Sequence, residues 1–215
     1  MSKLTPTGIK HCVSRALKRG NWIIRADEDG VSYGDFRWRD VGEWTVAPDW
    51  DETPECGGGL HGQDQDHGGY IQGSRLVFCD TRGPHVAIDL GNKVKVPAAR
   101  ILLVNALPGG LHVSGDLDLG YSQITALPGG LHVGGDLNLR FTQITELPGD
   151  LHVGGDLYLR YSQITALPGT LHVGGSLDLR HTQITELPGT LHVGGDLNLS
   201  FTQITALPGG LHVGG

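Results

Sequence analysis

The side chains best suited to chemistry lie between residues 55 and 79. The thiol and imidazole candidates are Cys56, His61, His67 and Cys79, with the acids Glu55, Asp64 and Asp66 nearby. Cysteine and histidine bind zinc, and a cysteine activated by a base is a nucleophile. Their spacing lacks the paired C-x-x-C pattern of common zinc sites and indicates no nucleophile, base and orienting group. We therefore expect no metal, no cofactor and no catalytic residue. The alternative is a small enzyme in residues 1–106, with the C-terminal repeats as its targeting arm.

The glycines of the segment Cys56-Gly57-Gly58-Gly59-Leu60-His61-Gly62 allow two interpretations. They can permit positive φ angles and close backbone approach in a tight loop. Alternatively, a glycine-rich backbone can cradle an anion.

A second set of imidazoles recurs every 20 residues, at His112, His132, His152, His172, His192 and His212. Neutral histidine binds metals, and its charge changes near pH 6.5, so metal binding and pH sensing are both possible. No acidic or cysteine column is clearly paired with this one. We therefore favour an outward stacking ladder fixed by repeat duplication.

The histidines belong to a repeat that organises residues 107–215. The string LPGGLHVGGDLNLRFTQITA recurs with a period of 20, in five complete copies and a partial sixth. Such a period is typical of a solenoid, in which each copy is one coil. Within a coil, Leu131-His132-Val133 and Leu137-Asn138-Leu139 alternate with period 2, and Gly134-Gly135 must turn the chain between them. This pattern predicts two narrow parallel sheets and no α-helix between Leu107 and Gly215.

Residues 1–106 are predicted to form a small α+β module that caps the solenoid. Helical spacing over Thr7 to Arg19, closed by Gly20, predicts one helix. Strand patterns follow over 21–50 and 75–104, with turn signals at Asp29-Gly30 and Gly91-Asn92. The predicted fold class is mainly β: a 20-residue-repeat, leucine-rich-repeat-like β-solenoid preceded by this α+β domain.

Charge and composition limit the cellular compartment and the partners that we expect for this chain. The net charge is -7, of which -6 falls in residues 101–215, and this argues against phosphate binding by the solenoid. No apolar run approaches the ~20 residues that span a membrane, and the N-terminus lacks the apolar core of a signal peptide. Three scattered cysteines indicate no disulfide framework. We expect a cytoplasmic protein that binds neither membrane nor nucleic acid directly.

The outward columns of the second strand are the candidate partner-binding face, because tyrosine and arginine are enriched in interface hot spots. The predicted binding residues are Asp118, Asn138, Arg140, Phe141, Tyr158, Arg160, Tyr161, Asp178 and Arg180. The aromatic column could instead fill the corner between coils.

Two resemblances carry the functional expectation. Residues from Tyr33 to Val104, with WTVAPDW, PECGGGLHG, SRLVF and KVKVPAARILLV, are similar to a small uncharacterised module of phage and prophage proteins. The pattern L-x-L-x-x-T-x-I-x-x-L-P resembles short bacterial leucine-rich repeats over residues 107–215. That family usually has asparagine where this chain has Ser122, Thr142, Ser162, Thr182 and Thr202. Together they imply a non-enzymatic, phage-related protein that binds a host protein. The more specific expectation is that it inhibits a host defence system that acts on nucleic acid.

The sixth copy stops at Val213-Gly214-Gly215. A final coil without a neighbour leaves apolar side chains and sheet edges uncovered. We therefore expect a homodimer formed end to end about a two-fold axis, and the alternative is that the chain is a piece of a longer array. Its predicted interface residues are Leu199, Ile204, Leu207 and Leu211.

Overall fold

A computed structural model describes residues 4–28, 36–54, 59–67, 73–88 and 93–215. The chain divides into two compact units, Met1–Pro108 and Gly109–Gly215. The first contains a helix and antiparallel sheets, and the second is a parallel β-solenoid. The predicted mainly-β fold class is therefore confirmed. No helix in the described residues is long and apolar enough to cross a membrane.

Helix α1 spans Pro6–Arg19, one residue more than predicted. The Thr5 hydroxyl accepts a hydrogen bond from the N–H of Gly8, and Gly20 closes the helix at φ 66°. Glycine suits this C-cap because it has no Cβ to oppose the left-handed conformation. The last turn carries Lys18 and Arg19.

Two antiparallel sheets complete the first unit. In one, the order is β1 (Trp22–Asp27), β4 (Arg75–Arg82), β7 (Ala98–Val104) and β2 (Thr45–Val46). In the other, the order is β3 (Leu60–Gly62), β6 (Lys93–Val96) and β5 (Val86–Ile88). Ile23, Val77, Cys79, Val94 and Ile101 lie in the core between them. The predicted turns at Asp29-Gly30 and Gly91-Asn92 lie outside the described residues.

The solenoid has two parallel sheets with a register of 20 residues. The six-stranded sheet contains β8 (His112–Val113), β10 (His132–Val133), β12 (His152–Val153), β14 (His172–Val173), β16 (His192–Val193) and β18 (His212–Val213). The five-stranded sheet contains β9 (Leu117–Asp118), β11 (Leu137–Asn138), β13 (Leu157–Tyr158), β15 (Leu177–Asp178) and β17 (Leu197–Asn198). Residues 107–215 are all described and contain no helix, so this prediction is confirmed.

The interior of the solenoid is apolar, as the period-2 pattern predicts. Leu131, Val133, Leu137, Leu139 and Ile144 are completely buried in the second coil. The inward hydroxyl of Thr142 donates to the carbonyl oxygen of Leu139 at 2.7 Å, and Ser122, Thr182 and Thr202 make the equivalent bond. A threonine can therefore fill this position without leaving a buried polar group unpaired.

The Gly-Gly corner is required by the close stacking of coils. A Cβ on Gly154 would collide with the carbonyl oxygen of Gly134, and a Cβ on Gly134 would collide with that of Ser114. The first coil has serine at this position, and no coil of the solenoid precedes it. The one exception to the glycine column therefore lies in the coil that no other coil of the solenoid precedes.

Candidate functional site

The reactive residues of the first unit form a hydrogen-bonded network around Asp64. His85 Nδ1 lies 2.7 Å and His67 Nδ1 2.8 Å from the two carboxylate oxygens of Asp64. His85 Nε2 lies 2.8 Å from the Thr81 hydroxyl. Thr81, His85 and Asp64 are thus aligned in the order of a nucleophile, a base and an orienting acid.

Burial limits what this network can do. Burial opposes ionisation of Asp64, but the hydrogen bonds from His85 and His67 lower its pKa to about 2. The carboxylate therefore stays charged at neutral pH. Thr81 is only 3% exposed, so its hydroxyl is covered by protein.

The backbone N–H of Asp66 also donates to Asp64, at 3.1 Å. Complete burial raises the pKa of the Cys79 thiol to about 12, which keeps it protonated at neutral pH. Cys56 and Glu55 lie outside the described residues. Among those described, no three histidine, cysteine or acidic side chains are placed to share a metal ion.

The histidine column contains two runs of stacked rings, one from His112 to His152 and one from His172 to His212. Neighbouring ring centroids are 4.3 Å apart for His112 and His132 and 4.2 Å apart for His132 and His152. The pairs from His172 to His192 and from His192 to His212 are each 4.4 Å apart. Desolvation, and then the neighbouring histidines, lower the pKa of His132 and of His192 below the ordinary value. Protonation would place like charges on adjacent rings.

Acidification is expected to destabilise the solenoid through these histidines. In the unfolded chain His132 and His192 take up protons near pH 6.5, whereas their lowered pKa values delay their protonation in the folded chain. Stability conferred by the neutral ladder is therefore present above about pH 6.5 and falls as the pH drops through that value. Thermal unfolding between about pH 7.5 and pH 5 should show a falling melting temperature.

The double variant His132→Gln, His192→Gln is the matched comparison. Its melting temperature should fall less than that of the wild type over the same pH interval. Equal pH dependence of the two proteins would contradict a role for the ladder.

The first acidic column is structural. One carboxylate oxygen of Asp116 accepts the backbone N–H of Asp136 at 2.8 Å, and Asp136 accepts that of Asp156 at 2.7 Å. Asp156 and then Ser176 continue the series toward Asp196. Each side chain thus joins its coil to the next, which explains why an acceptor occupies this position in every coil.

The next column, predicted to contact a partner, has a structural role in four coils. The side-chain oxygens of Asp118, Asn138, Asp178 and Asn198 each accept the N–H two residues ahead. Such bonds hold the chain at the end of a strand. Asn138 and Asp178 are only 8% exposed, and their role in binding a partner stays a prediction. Neighbouring residues of the stacked coils cover them.

Tyr158 is the exception in this column. Its hydroxyl donates to Asp156 at 2.8 Å, and this bond raises the Tyr158 pKa to about 12. Tyrosine cannot make the strand-end bond of the aspartates and asparagines because its hydroxyl lies too far from the backbone. The tyrosine in the middle coil therefore does not serve to hold the chain at the end of this strand.

Tyrosine at position 158 leaves Arg160 without the acceptor that the equivalent arginines of other coils have. Arg140 Nε donates to Asn138 at 3.0 Å, and Arg180 donates from two nitrogens to Asp178 at 2.8 and 2.6 Å. In the coil between them, Arg160 Nε is buried without a hydrogen-bond partner. The Arg160 guanidinium lies 4.9 Å from the ring centroid of Tyr161. A buried donor without an acceptor is unfavourable unless a water, an ion or another molecule supplies one.

The aromatic column occupies a strained corner. Tyr121, Phe141, Tyr161, His181 and Phe201 all have φ between 55° and 61°. A left-handed conformation costs about 1 kcal/mol for a residue with a Cβ. Their rings stack at 4.4 to 4.7 Å, while Tyr121 and Phe141 also keep exposed surface. Both sequence interpretations thus describe part of the column, which fills the corner and still faces outward.

The four leucine and isoleucine residues of the predicted dimer interface are less covered than their counterparts. Leu199, Ile204 and Leu211 are half-buried, and Leu207 is 62% exposed. In the preceding coil, Leu179, Ile184, Leu187 and Leu191 are buried. Formation of a dimer through these residues stays a prediction.

The second unit is thus a solenoid repeat protein, with coils of about 20 residues and leucines at regular positions. No protein-family model matches the chain, and no curated protein or solved structure is significantly similar to it.

Proposed function

We propose that this chain is a non-enzymatic interaction protein that binds another protein through the outer face of the five-stranded sheet. The observation that carries the proposal is the break in the column pattern at Tyr158, which leaves Arg160 Nε buried and unpaired. The residue as a whole is only half-buried, so a partner carboxylate could pair with the rest of the Arg160 guanidinium. We define Arg140, Tyr158, Arg160 and Tyr161 as the central patch.

The charge distribution around the central patch supports an acidic partner surface. Arg180 is neutralised by Asp178 at 2.6 Å. Arg140 bonds only to the neutral amide of Asn138, with its guanidinium 5.4 Å from the Tyr158 ring centroid. Within the solenoid, all of which is described, neither Arg140 nor Arg160 has a carboxylate oxygen within 4.0 Å. Two guanidinium groups without a carboxylate in direct contact thus lie at the middle of an acidic solenoid and favour carboxylates of a partner.

Solenoids commonly use extended faces to bind proteins, and the resemblance to short leucine-rich repeats agrees with that use. The likeness of residues from Tyr33 to Val104 to a phage module supports a phage-related origin and a partner in the host cytoplasm. A host defence enzyme acting on nucleic acid is the partner that we propose. The chain would inhibit it by blocking a protein surface, because a solenoid charge of only -6 is weak mimicry of DNA or RNA.

Replacing Arg140, Tyr158 and Arg160 together by alanine is expected to weaken partner capture at least about 100-fold, because central tyrosine and arginine residues dominate interface affinity. Immobilised wild type and triple variant would be incubated with the same host lysate and the retained proteins quantified by mass spectrometry. The control variant Glu146→Ala, Glu186→Ala changes exposed residues to those of other coils and should retain the partner. A folded triple variant with undiminished capture would exclude this face.

The second candidate is an acyl-transferring enzyme in the first unit, favoured by the Thr81–His85–Asp64 chain. An activated ester such as p-nitrophenyl acetate would be its probe. Hydrolysis by the wild type that disappears in both Thr81→Val and His85→Ala would support it. A rate equal to that of buffer, or one unchanged in Thr81→Val, would reject it.

A further inference from the structure

Arginine side chains of α1 and β4 meet at a cavity in the first unit. The cavity measures about 310 Å³, and its lining includes Arg15, Arg19, Asn21, Trp44, Asp80 and Arg82. A second space of about 460 Å³ adjoins it, since Arg15 and Arg19 line both, and Lys18 faces this second space. Volumes of this size lie at the lower end of the range for small-molecule sites.

The charges at this cavity do not cancel. Asp80 is its acidic lining residue, and the buried Arg100 already holds that carboxylate with contacts of 2.6 and 3.0 Å. Arg15 lies 3.7 Å from the same carboxylate and is 41% exposed. Among the described residues, Arg19 and Arg82 have no carboxylate within 4.0 Å. A positive site therefore exists on a chain whose net charge is -7.

Trp44 fixes one of these cations. The Arg82 guanidinium lies 3.7 Å from the Trp44 ring centroid, and Arg100 lies 4.8 Å from it. Stacking on an aromatic face holds a guanidinium while its N–H groups stay available to an anion. Arg82 is thus oriented before any ligand arrives, which reduces the entropy lost on binding.

The attraction of cations to the C-terminal end of the helix dipole does not account for all of the arginines at this cavity. Lys18 and Arg19 lie in the last turn of α1, where cations complement the helix dipole. Arg82 comes from the end of β4, however, and Arg15 lies a full turn before the helix end. Convergence of residues from two elements on one cavity indicates a ligand rather than the dipole alone.

We propose that this cavity binds a small phosphorylated molecule with two or more negative charges, of which a nucleoside diphosphate is the representative. Guanidinium groups match phosphate oxygens with paired N–H donors, which distinguishes them from the single point charge of lysine. Asn21 adds a neutral polar residue to the lining of the cavity. This site lies in the first unit and does not depend on the partner-binding proposal.

Isothermal titration calorimetry of the full chain tests the proposal, with ADP, inorganic phosphate and a short single-stranded oligonucleotide as separate probes at low salt. ADP should bind, and Arg82→Gln and Arg19→Gln should each weaken its binding about tenfold, the loss typical of one charge-assisted hydrogen bond. The affinity of Arg82→Lys for ADP should be intermediate, because lysine keeps the positive charge but lacks the paired N–H donors of the guanidinium. Arg39→Gln, an exposed arginine outside both cavities, should bind like the wild type.

Each other outcome overturns the proposal. Absence of heat with both ADP and phosphate at millimolar concentration would show that no phosphate site exists. Tighter, Arg82-dependent binding of the oligonucleotide than of ADP would assign the cavity to nucleic acid. Equal affinities of Arg82→Gln and wild type, with melting temperatures unchanged, would move the site elsewhere.

Discussion

Replacing Leu139 by aspartate is expected to lower the free energy of unfolding by at least about 4 kcal/mol, a large fraction of the stability of an ordinary protein. Leu139 is fully buried in the second coil, between the equivalent leucines Leu119 and Leu159. A carboxylate there would lose its hydration and find no cation or donor in an apolar interior. Urea unfolding followed by circular dichroism measures the loss.

The repeat itself supplies the control for this experiment. Glu146 is exposed, and the equivalent residues are alanine in three other coils, Ala126, Ala166 and Ala206. Glu146→Ala should therefore change stability by less than about 0.5 kcal/mol. Asn138→Ala should fall between the two, at about 1 to 2 kcal/mol, because it removes the bonds to Asp118 and Arg140. Equal stabilities of Leu139→Asp and Glu146→Ala would refute the inward assignment.

The solenoid could be predicted because its copies serve as an alignment within one chain. Two period-2 segments per copy fix which side chains point inward, and a pair of glycines fixes one corner. The pattern does not show how far neighbouring coils cover an outward side chain. Asn138 and Asp178 point outward and are nevertheless buried, since residues of adjacent coils lie only one strand spacing away.

The unusual residue of the central patch could also be recognised by comparing the repeats within the chain. The column contains aspartate or asparagine in four coils and tyrosine only at Tyr158, and that exception marks the middle coil. The consequence for Arg160 could not be read from the pattern. It depends on the Nε position and on the bond that directs the Tyr158 hydroxyl to Asp156. Orientation of a side chain follows from three-dimensional contacts, which periodicity does not encode.

The first unit offered much less to sequence reasoning because its important contacts join distant residues. Asp64 meets His85 from 21 residues away, and Arg100 meets Asp80 from 20 away, in sheets without any repeat. The predicted helix and the cores of several strands were recovered from local patterns. The convergence of Arg15, Arg19 and Arg82 depends on how α1 packs beside β4, and no local signal specifies that packing.

Substituting alanine for Gly154 is expected to destabilise the solenoid by about 3 kcal/mol, the upper part of the range for overpacking. The added Cβ would meet the Gly134 carbonyl oxygen of the coil below, which is backbone and cannot rotate away. Relief would require separating two coils and would weaken the neighbouring hydrogen bond from the N–H of Gly154 to Val133, now 2.9 Å. Gly209→Ala is the matched control, since a Cβ there meets no atom within 4 Å. Urea unfolding of the two variants should separate them by most of that 3 kcal/mol difference, and coincident curves would mean that the Gly-Gly corner tolerates side chains. In that case serine in the first coil would need an explanation other than the missing coil before it. If the curves separate, Ser114 marks the one corner of the stack where the chain can accept a side chain.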